Sequence, residues 1–167
     1  MGTYTYPKFA YTGPADLQAN APQRRPLVIV GAGPVGLAAA VDARLKGIPV
    51  LVFDEDDTVS IGSRAVCYAK RALEVLDRLG VGDPICDRGV SWNVGRTFFR
   101  EKEVYRFDLV PDAGHKRPGM INLQQYYLEE ALVGRAMELG ADIRWRYKVV
   151  GVQNGRASCR ERVYDDV

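Results

Sequence analysis

With three cysteines and one histidine in 167 residues, the chain has little to offer metal or disulfide chemistry. Cys67, Cys86 and Cys159 form no CxxC pair and His115 stands alone, so neither a disulfide framework nor a zinc site is expected, and a reducing cytoplasm fits best. Charge of one sign is also scarce. Lys plus Arg number 23 against 21 Asp plus Glu, and a net charge of +2 supports neither a nucleic-acid patch nor a polybasic membrane surface. No run approaches the roughly 18 apolar residues of a membrane helix. The N-terminus lacks the basic start and apolar run of a signal peptide, and Tyr6 stands where a myristoylation signal wants Ser or Thr. What these absences leave is a small-molecule partner.

The composition is that of a packed globular chain: 47% hydrophobic, 26% charged, seventeen glycines. Its length suits one ordinary domain of roughly 150 residues and not two. Residues 1–25, rich in Pro, Ala, Gln and aromatics, read as a flexible or surface-draped leader and are set aside from the fold. Residues 26–153 are expected to form the domain.

Leu27–Val30 is continuously apolar and β-branched, as a parallel strand buried on both faces should be. It leads into Gly31-Ala-Gly-Pro-Val-Gly36, and Leu37–Lys46 continues as an Ala-rich helix closed by Gly47. Ile48–Phe53 is a second apolar run and ends at Asp54. Each part of this strand–turn–helix–strand–acid series has a physical purpose. Gly31 permits the tight turn, Gly33 removes the side chain that would block a pyrophosphate, and Gly36 lets helix and sheet approach closely. Pro34 and Val35 open the helix whose free N–H groups and dipole face the phosphates. Asp54, at the end of the neighbouring strand, is placed to receive a ribose hydroxyl pair. Asp56 and Asp57 read as solvated loop acids.

Past Asp54 the pattern departs from a nicotinamide dehydrogenase, which would add another strand and helix. A loop, Thr58–Ala65, precedes a helix from about Ala69 to Leu79, with Ala72, Val75, Leu76 and Leu79 on its inner face. Val90–Phe99 and Val104–Leu109 then read as an antiparallel hairpin inserted in the fold. A second helix spans about Leu123–Leu139, with Tyr127, Leu128, Ala131, Leu132, Ala136 and Leu139 inward. Asp142–Val152 returns as a strand, alternating Ile143, Trp145 and Tyr147 with Arg144, Arg146 and Lys148. The expected architecture is α/β: a Rossmann-like dinucleotide-binding fold with a parallel sheet and an inserted antiparallel hairpin, which the resemblance described next makes an incomplete FAD/NAD(P)-binding fold.

Residues 26–152 resemble the N-terminal part of the single-component FAD-dependent aromatic hydroxylases related to para-hydroxybenzoate and hydroxyphenylpropionate hydroxylase. The resemblance rests on Gly31-Ala-Gly-Pro-Val-Gly-Leu37, on Asp54, on Ser63-Arg-Ala65 followed by Arg71–Gly80, and on Asn122-Leu-Gln-Gln-Tyr-Tyr-Leu-Glu129. It implies FAD as cofactor, NADPH or NADH as transient hydride donor, and hydroxylation of a phenolic substrate with oxygen. Asp54 then takes the adenosine ribose, where most members carry Glu. Arg64 matches an arginine beside the cofactor and Gln125 a glutamine near the flavin. The hairpin lies where the family begins its substrate-covering sheet, and Trp92, Phe98, Phe99, Tyr105 and Phe107 either line that region or form plain core. His115 is assigned no role. No catalytic residue, metal ligand or oligomeric state is assigned.

The family's later Asp-Gly and Gly-Asp-Ala motifs have no counterpart here, so the chain is expected to be a fragment, inactive alone. The stretch Gly155–Val163 shows neither strand alternation nor a fitting turn signal. It resembles the conceptual translation of a sequencing-library adapter, so 154–167 reads as a non-native tail. Two other readings stay open: the FAD-binding portion of another flavin oxidoreductase, such as an amine oxidase or ring epoxidase, and a nucleotide-binding module without catalysis.

Overall fold

The computed structural model describes residues 4–13, 23–62, 64–109, 114–153 and 158–161. Its elements in chain order are β1 (Leu27–Val30), α1 (Pro34–Leu45), β2 (Val50–Asp54), β3 (Cys67–Ala69), α2 (Lys70–Leu79), α3 (Gly82–Arg88) and β4 (Val90–Trp92). There follow β5 (Val94–Phe99), β6 (Lys102–Asp108), β7 (Met120–Asn122), α4 (Gln125–Glu138), β8 (Asp142–Trp145), β9 (Val149–Gln153) and β10 (Ser158–Glu161). Internal packing divides the chain into two units, residues 1–61 with 132–167 and residues 62–131, the division falling within α4.

In the first unit β1, β2 and β8 form a parallel sheet in that order, with Ile29, Val52 and Ile143 in one row and Val30, Phe53 and Arg144 in the next. Strands this apolar need cover. α1 supplies part of it by burying Leu37, Ala40, Val41 and Ala43, and its alanines keep the helix close to the sheet. α1 ends where Gly47 takes a left-handed φ of 75° and the Ile48 N–H reaches the Ala43 carbonyl. Arg44, in its last turn, donates to the Leu139 carbonyl just past α4 (2.8 Å). Among the described residues β1 pairs only with β2, and it is not buried on both faces as its apolar run suggested: Val30 keeps 61% of its surface exposed.

Residues 4–13 pack on this unit at the carboxyl ends of β2 and β8. Phe9 stacks on Trp145 (centroids 4.3 Å apart, planes 13° apart), and Tyr11 lies against the buried Tyr147 at 5.2 Å. Tyr147 Oη donates to the Thr12 carbonyl (2.6 Å). With Leu51, Phe53 and Val149, Tyr147 and Tyr11 form one apolar cluster.

The second unit holds an antiparallel sheet in the order β3-β7-β4 and the hairpin β5-β6. Leu73, Leu76 and Leu79 of α2 and Ile85 of α3 are buried. Arg117, 6% exposed, binds Asp77 of α2 through both Nε (2.8 Å) and Nη2 and also reaches Asp83 of α3. The Arg117 guanidinium, with Lys116 beside it, holds the Asp77 carboxyl down at about 2. In the hairpin the Phe107 ring lies over Gly95, and the turn places Arg100 at a φ of 52°.

Several expectations need correction. Asp142–Val152 is not one strand: Arg146 adopts a left-handed φ of 64°, which ends β8 and sends β9 to pair with β10. Arg144, expected outward, is buried, with its guanidinium 5.9 Å from the Phe53 ring centroid and paired to Asp142. Val90–Phe99 is also split. The Asn93 side chain accepts from the Gly119 N–H (2.7 Å), β4 joins β7, and only β5 enters the hairpin. On α2 the buried stripe runs through Leu73, while Ala72 is exposed. The stretch read as lacking strand character contains β10. Phe98, Phe99 and Tyr105 are exposed, not core.

Candidate functional site

The glycine turn joins β1 to α1 as its spacing predicts. Gly31 has a φ of 102°, a conformation L side chains rarely adopt, and its N–H donates to the Phe53 carbonyl (2.7 Å), which keeps the turn anchored to β2. A Cβ on Gly36 would collide with the Gly31 carbonyl and meet Ile29 Cγ2 at 3.2 Å, so this glycine is fixed by packing. Gly33 is different. It sits at the N-cap of α1 with ordinary extended backbone, and a Cβ there would meet nothing within 4 Å.

Above that space the first turn of α1 has Pro34 at its start, no side-chain cap and no acidic residue, and Val35 is 84% exposed. The helix end therefore presents uncapped N–H groups and its positive dipole end beside a gap that glycine alone leaves open. A pyrophosphate fits that combination of vacancy and donors.

Asp54 closes the turn from the side. One carboxylate oxygen accepts the Ala32 N–H, and the other accepts the Asp56 N–H at 2.9 Å. The sequence placed Asp54 at the strand end but gave no sign that its carboxylate also pins the glycine turn. Each carboxylate oxygen has a second lone pair, so a ribose hydroxyl can still be received.

The loop after Asp54 is held by backbone bonds as well. Tyr147 N–H donates to the Asp54 carbonyl (2.8 Å), Arg146 N–H to Asp56 (3.1 Å) and Phe9 N–H to Asp57 (2.8 Å). Asp57, read as a solvated acid, pairs with Lys8 Nζ at 2.7 Å, and the lysine holds its carboxyl below the usual range. Glu55 pairs with Lys148 at 2.8 Å.

Arg64 and Gln125 belong to the second unit. Arg64 is exposed. Gln125 is buried: its Oε1 accepts the Ala65 N–H (3.2 Å) and its Nε2 donates to Glu129 Oε1 (2.7 Å). Glu129 is itself 1% exposed; burial, and after it the Glu129 charge, raises the pKa of Tyr68, whose buried Oη has no hydrogen-bond partner among the described residues.

Fold and turn together define a dinucleotide-binding domain of Rossmann type. The sequence pattern of the FAD binding domain family matches residues 24–167, and the chain belongs to that family. It is 31% identical over 150 residues to 6-methylpretetramide 4-monooxygenase of Streptomyces rimosus, covering 87% of this chain and 25% of that protein. It is 30% identical over 134 residues to para-nitrophenol 4-monooxygenase of a Pseudomonas species (strain WBC-3), covering 78% and 33%. The crystal structure of p-nitrophenol 4-monooxygenase from Pseudomonas putida DLL-E4 superposes with a TM-score of 0.71 at 29% identity, covering 78% of this chain and 34% of that one. The chain thus spans a quarter to a third of the length of such relatives. Among the described residues no helix is long and apolar enough to cross a membrane.

Proposed function

We propose that the chain is the FAD-binding part of a flavin-dependent monooxygenase that hydroxylates small aromatic substrates, with NADPH or NADH as hydride donor. The observation that carries the nucleotide half of this reading is the open position at Gly33 beside the uncapped start of α1, with Asp54 at the end of the adjacent strand. The names of the three similar proteins given above, each a monooxygenase and two of them named for a nitrophenol, support the chemical half.

In this reading Gly31, Gly33, Pro34, Val35 and Gly36 shape the pyrophosphate seat, and backbone N–H groups at the start of α1 bind it. Asp54 receives the ribose hydroxyls while keeping the turn closed. Arg64 and Gln125 serve the flavin side, as the resemblance implies. Bound FAD supplies redox chemistry that no side chain can, accepting hydride and activating oxygen. The protein's part is binding, orientation and exclusion of water. The exposed thiol of Cys67, free of any disulfide, supports a cytoplasmic location.

The test is a titration of the chain with FAD, followed by quenching of flavin fluorescence, with NAD as the competing nucleotide. We expect FAD to bind and NAD to compete weakly. Preference for NAD, or binding of neither, overturns the assignment. Hydroxylation is tested in a longer protein carrying this segment, by phenol-dependent oxygen uptake and product mass. Hydride transfer without oxygen insertion would favour another flavin oxidoreductase.

A further inference from the structure

Residues 8–12 lie outside the family match, which begins at residue 24, and nothing in the nucleotide-binding pattern calls for them. They are nevertheless attached to the loop that follows the ribose acid. Lys8 Nζ pairs with Asp57 Oδ1 at 2.7 Å, and Phe9 N–H donates to the Asp57 carbonyl at 2.8 Å. Phe9 then stacks on Trp145, Tyr11 lies on Tyr147, and Thr12 accepts the Tyr147 hydroxyl.

Both aromatic partners bear on the same loop. Trp145 pairs with Asp54 across the β2–β8 ladder, and Tyr147 N–H donates to the Asp54 carbonyl. Between these two residues stands Arg146, whose left-handed backbone is rarely adopted by a residue other than glycine and must be held by its surroundings. The segment is thus fixed to both strands that define where Asp54 stands. Asp54 in turn holds the Ala32 N–H in the glycine turn.

We propose that residues 8–12 form a strap that positions the ribose acid: by fixing Asp57 and the Trp145–Tyr147 turn, it presets Asp54 and the glycine turn for FAD. Lys8 and Phe9 are its positioning residues, and neither need touch the cofactor. A loop already held in its binding conformation spares the nucleotide the cost of ordering it. The inference rests on the FAD reading above and adds to it a determinant from outside the residues that the family pattern matches.

Two measurements on the full 167-residue chain test it, with Phe9→Ala, Lys8→Ala and the conservative Phe9→Tyr. Without FAD, amide hydrogen exchange in residues 54–57 and 146–147 is expected to rise about ten-fold in both alanine variants, while the interior of α1 and β1 keeps its protection. With FAD, fluorescence titration is expected to show affinity about three- to ten-fold weaker in both, and Phe9→Tyr restores both readouts. Lys8→Ala, at an exposed side chain, covers the case in which Phe9→Ala fails to fold. Unchanged exchange in 54–57, exchange raised evenly through the whole unit, or unchanged FAD affinity in a wild-type chain that binds FAD each overturns the strap. A wild-type chain that does not bind FAD overturns the proposed function instead, and the exchange arm still decides whether the segment holds the loop.

Discussion

The two glycines at the start of α1, Gly33 and Gly36, can be told apart by one substitution each. Gly36 is required by packing, because any Cβ meets the Gly31 carbonyl. A Cβ on Gly33 would meet no protein atom within 4 Å, so in the proposed reading only the nucleotide requires that glycine. Gly33→Val is therefore expected to melt within a degree or two of wild type and to lose FAD, whereas Gly36→Val is expected to fall by about 1–3 kcal/mol in urea unfolding before any cofactor is added. Equal loss of stability in both would mean that the turn is closed differently. Asp54→Ala is expected to do both kinds of damage. It removes a charge-assisted acceptor from two backbone N–H groups, costing about 1.5–3 kcal/mol, and weakens FAD roughly ten- to a hundred-fold. Glu55→Ala, at an exposed acid paired with Lys148, is the control expected to do neither. The glycine spacing was legible in the sequence because each position answers to a local demand: a left-handed turn at Gly31, close packing at Gly36 and, in the proposed reading, the ligand at Gly33. The second duty of Asp54 was not, since it depends on a loop folding back on its own strand.

The helices α1, α2 and α4 were legible because their apolar period is local, whereas the short α3 was not anticipated. What the sequence hid at this scale are breaks made by single residues whose partners are distant. Asn93 splits an apparent strand by bonding to Gly119, and Arg146 splits another through its backbone. Residues 8–12 show no period at all, and Thr12 meets Tyr147 across 135 residues. The Arg117 anchor between α2 and α3 is equally non-local, and it has a pH signature. Asp77 is lowered from 3.8 to about 2, first by its hydrogen bonds from Arg117 and then by Lys116. Its folded pKa lies below the unfolded one, so its contribution is fully present above about pH 4 and is lost as pH falls through about 2. Asp77→Asn is expected to cost about 1.5 kcal/mol at pH 7, the lower end for a charged hydrogen bond because the side chain keeps 21% of its exposure. The gap from wild type should close between pH 4 and pH 2 in urea titrations. A gap that stays constant with pH would show that the ion pair is not its source.

Over the whole molecule, the chain spans a quarter to a third of the length of such relatives, and in the proposed reading it carries the nucleotide part of a longer protein. An aromatic hydroxylation needs substrate and flavin held together away from water. The only aromatic-rich hairpin among the described residues leaves Phe98, Phe99 and Tyr105 in solvent. We expect no phenol-dependent oxygen uptake from these 167 residues supplied with FAD and NADPH, and hydroxylated product formed catalytically would refute that. Phe98→Ser with Phe99→Ser is expected to delay aggregation in light-scattering assays without changing FAD affinity, since both side chains are exposed and neither is among the residues proposed to hold FAD.

The stacking of Phe9 on Trp145 also gives the protein an optical reporter of its own. The chain has two tryptophans, Trp92 and Trp145, and Trp145 is only 5% exposed beneath the phenylalanine ring. In a Trp92→Phe background, emission comes from the indole at the end of β8 alone. It should be blue-shifted while the N-terminal segment is docked, and shift to the red when the segment lifts and water reaches the ring. Attachment of residues 8–12 can then be followed in real time through stopped-flow mixing, with no added label.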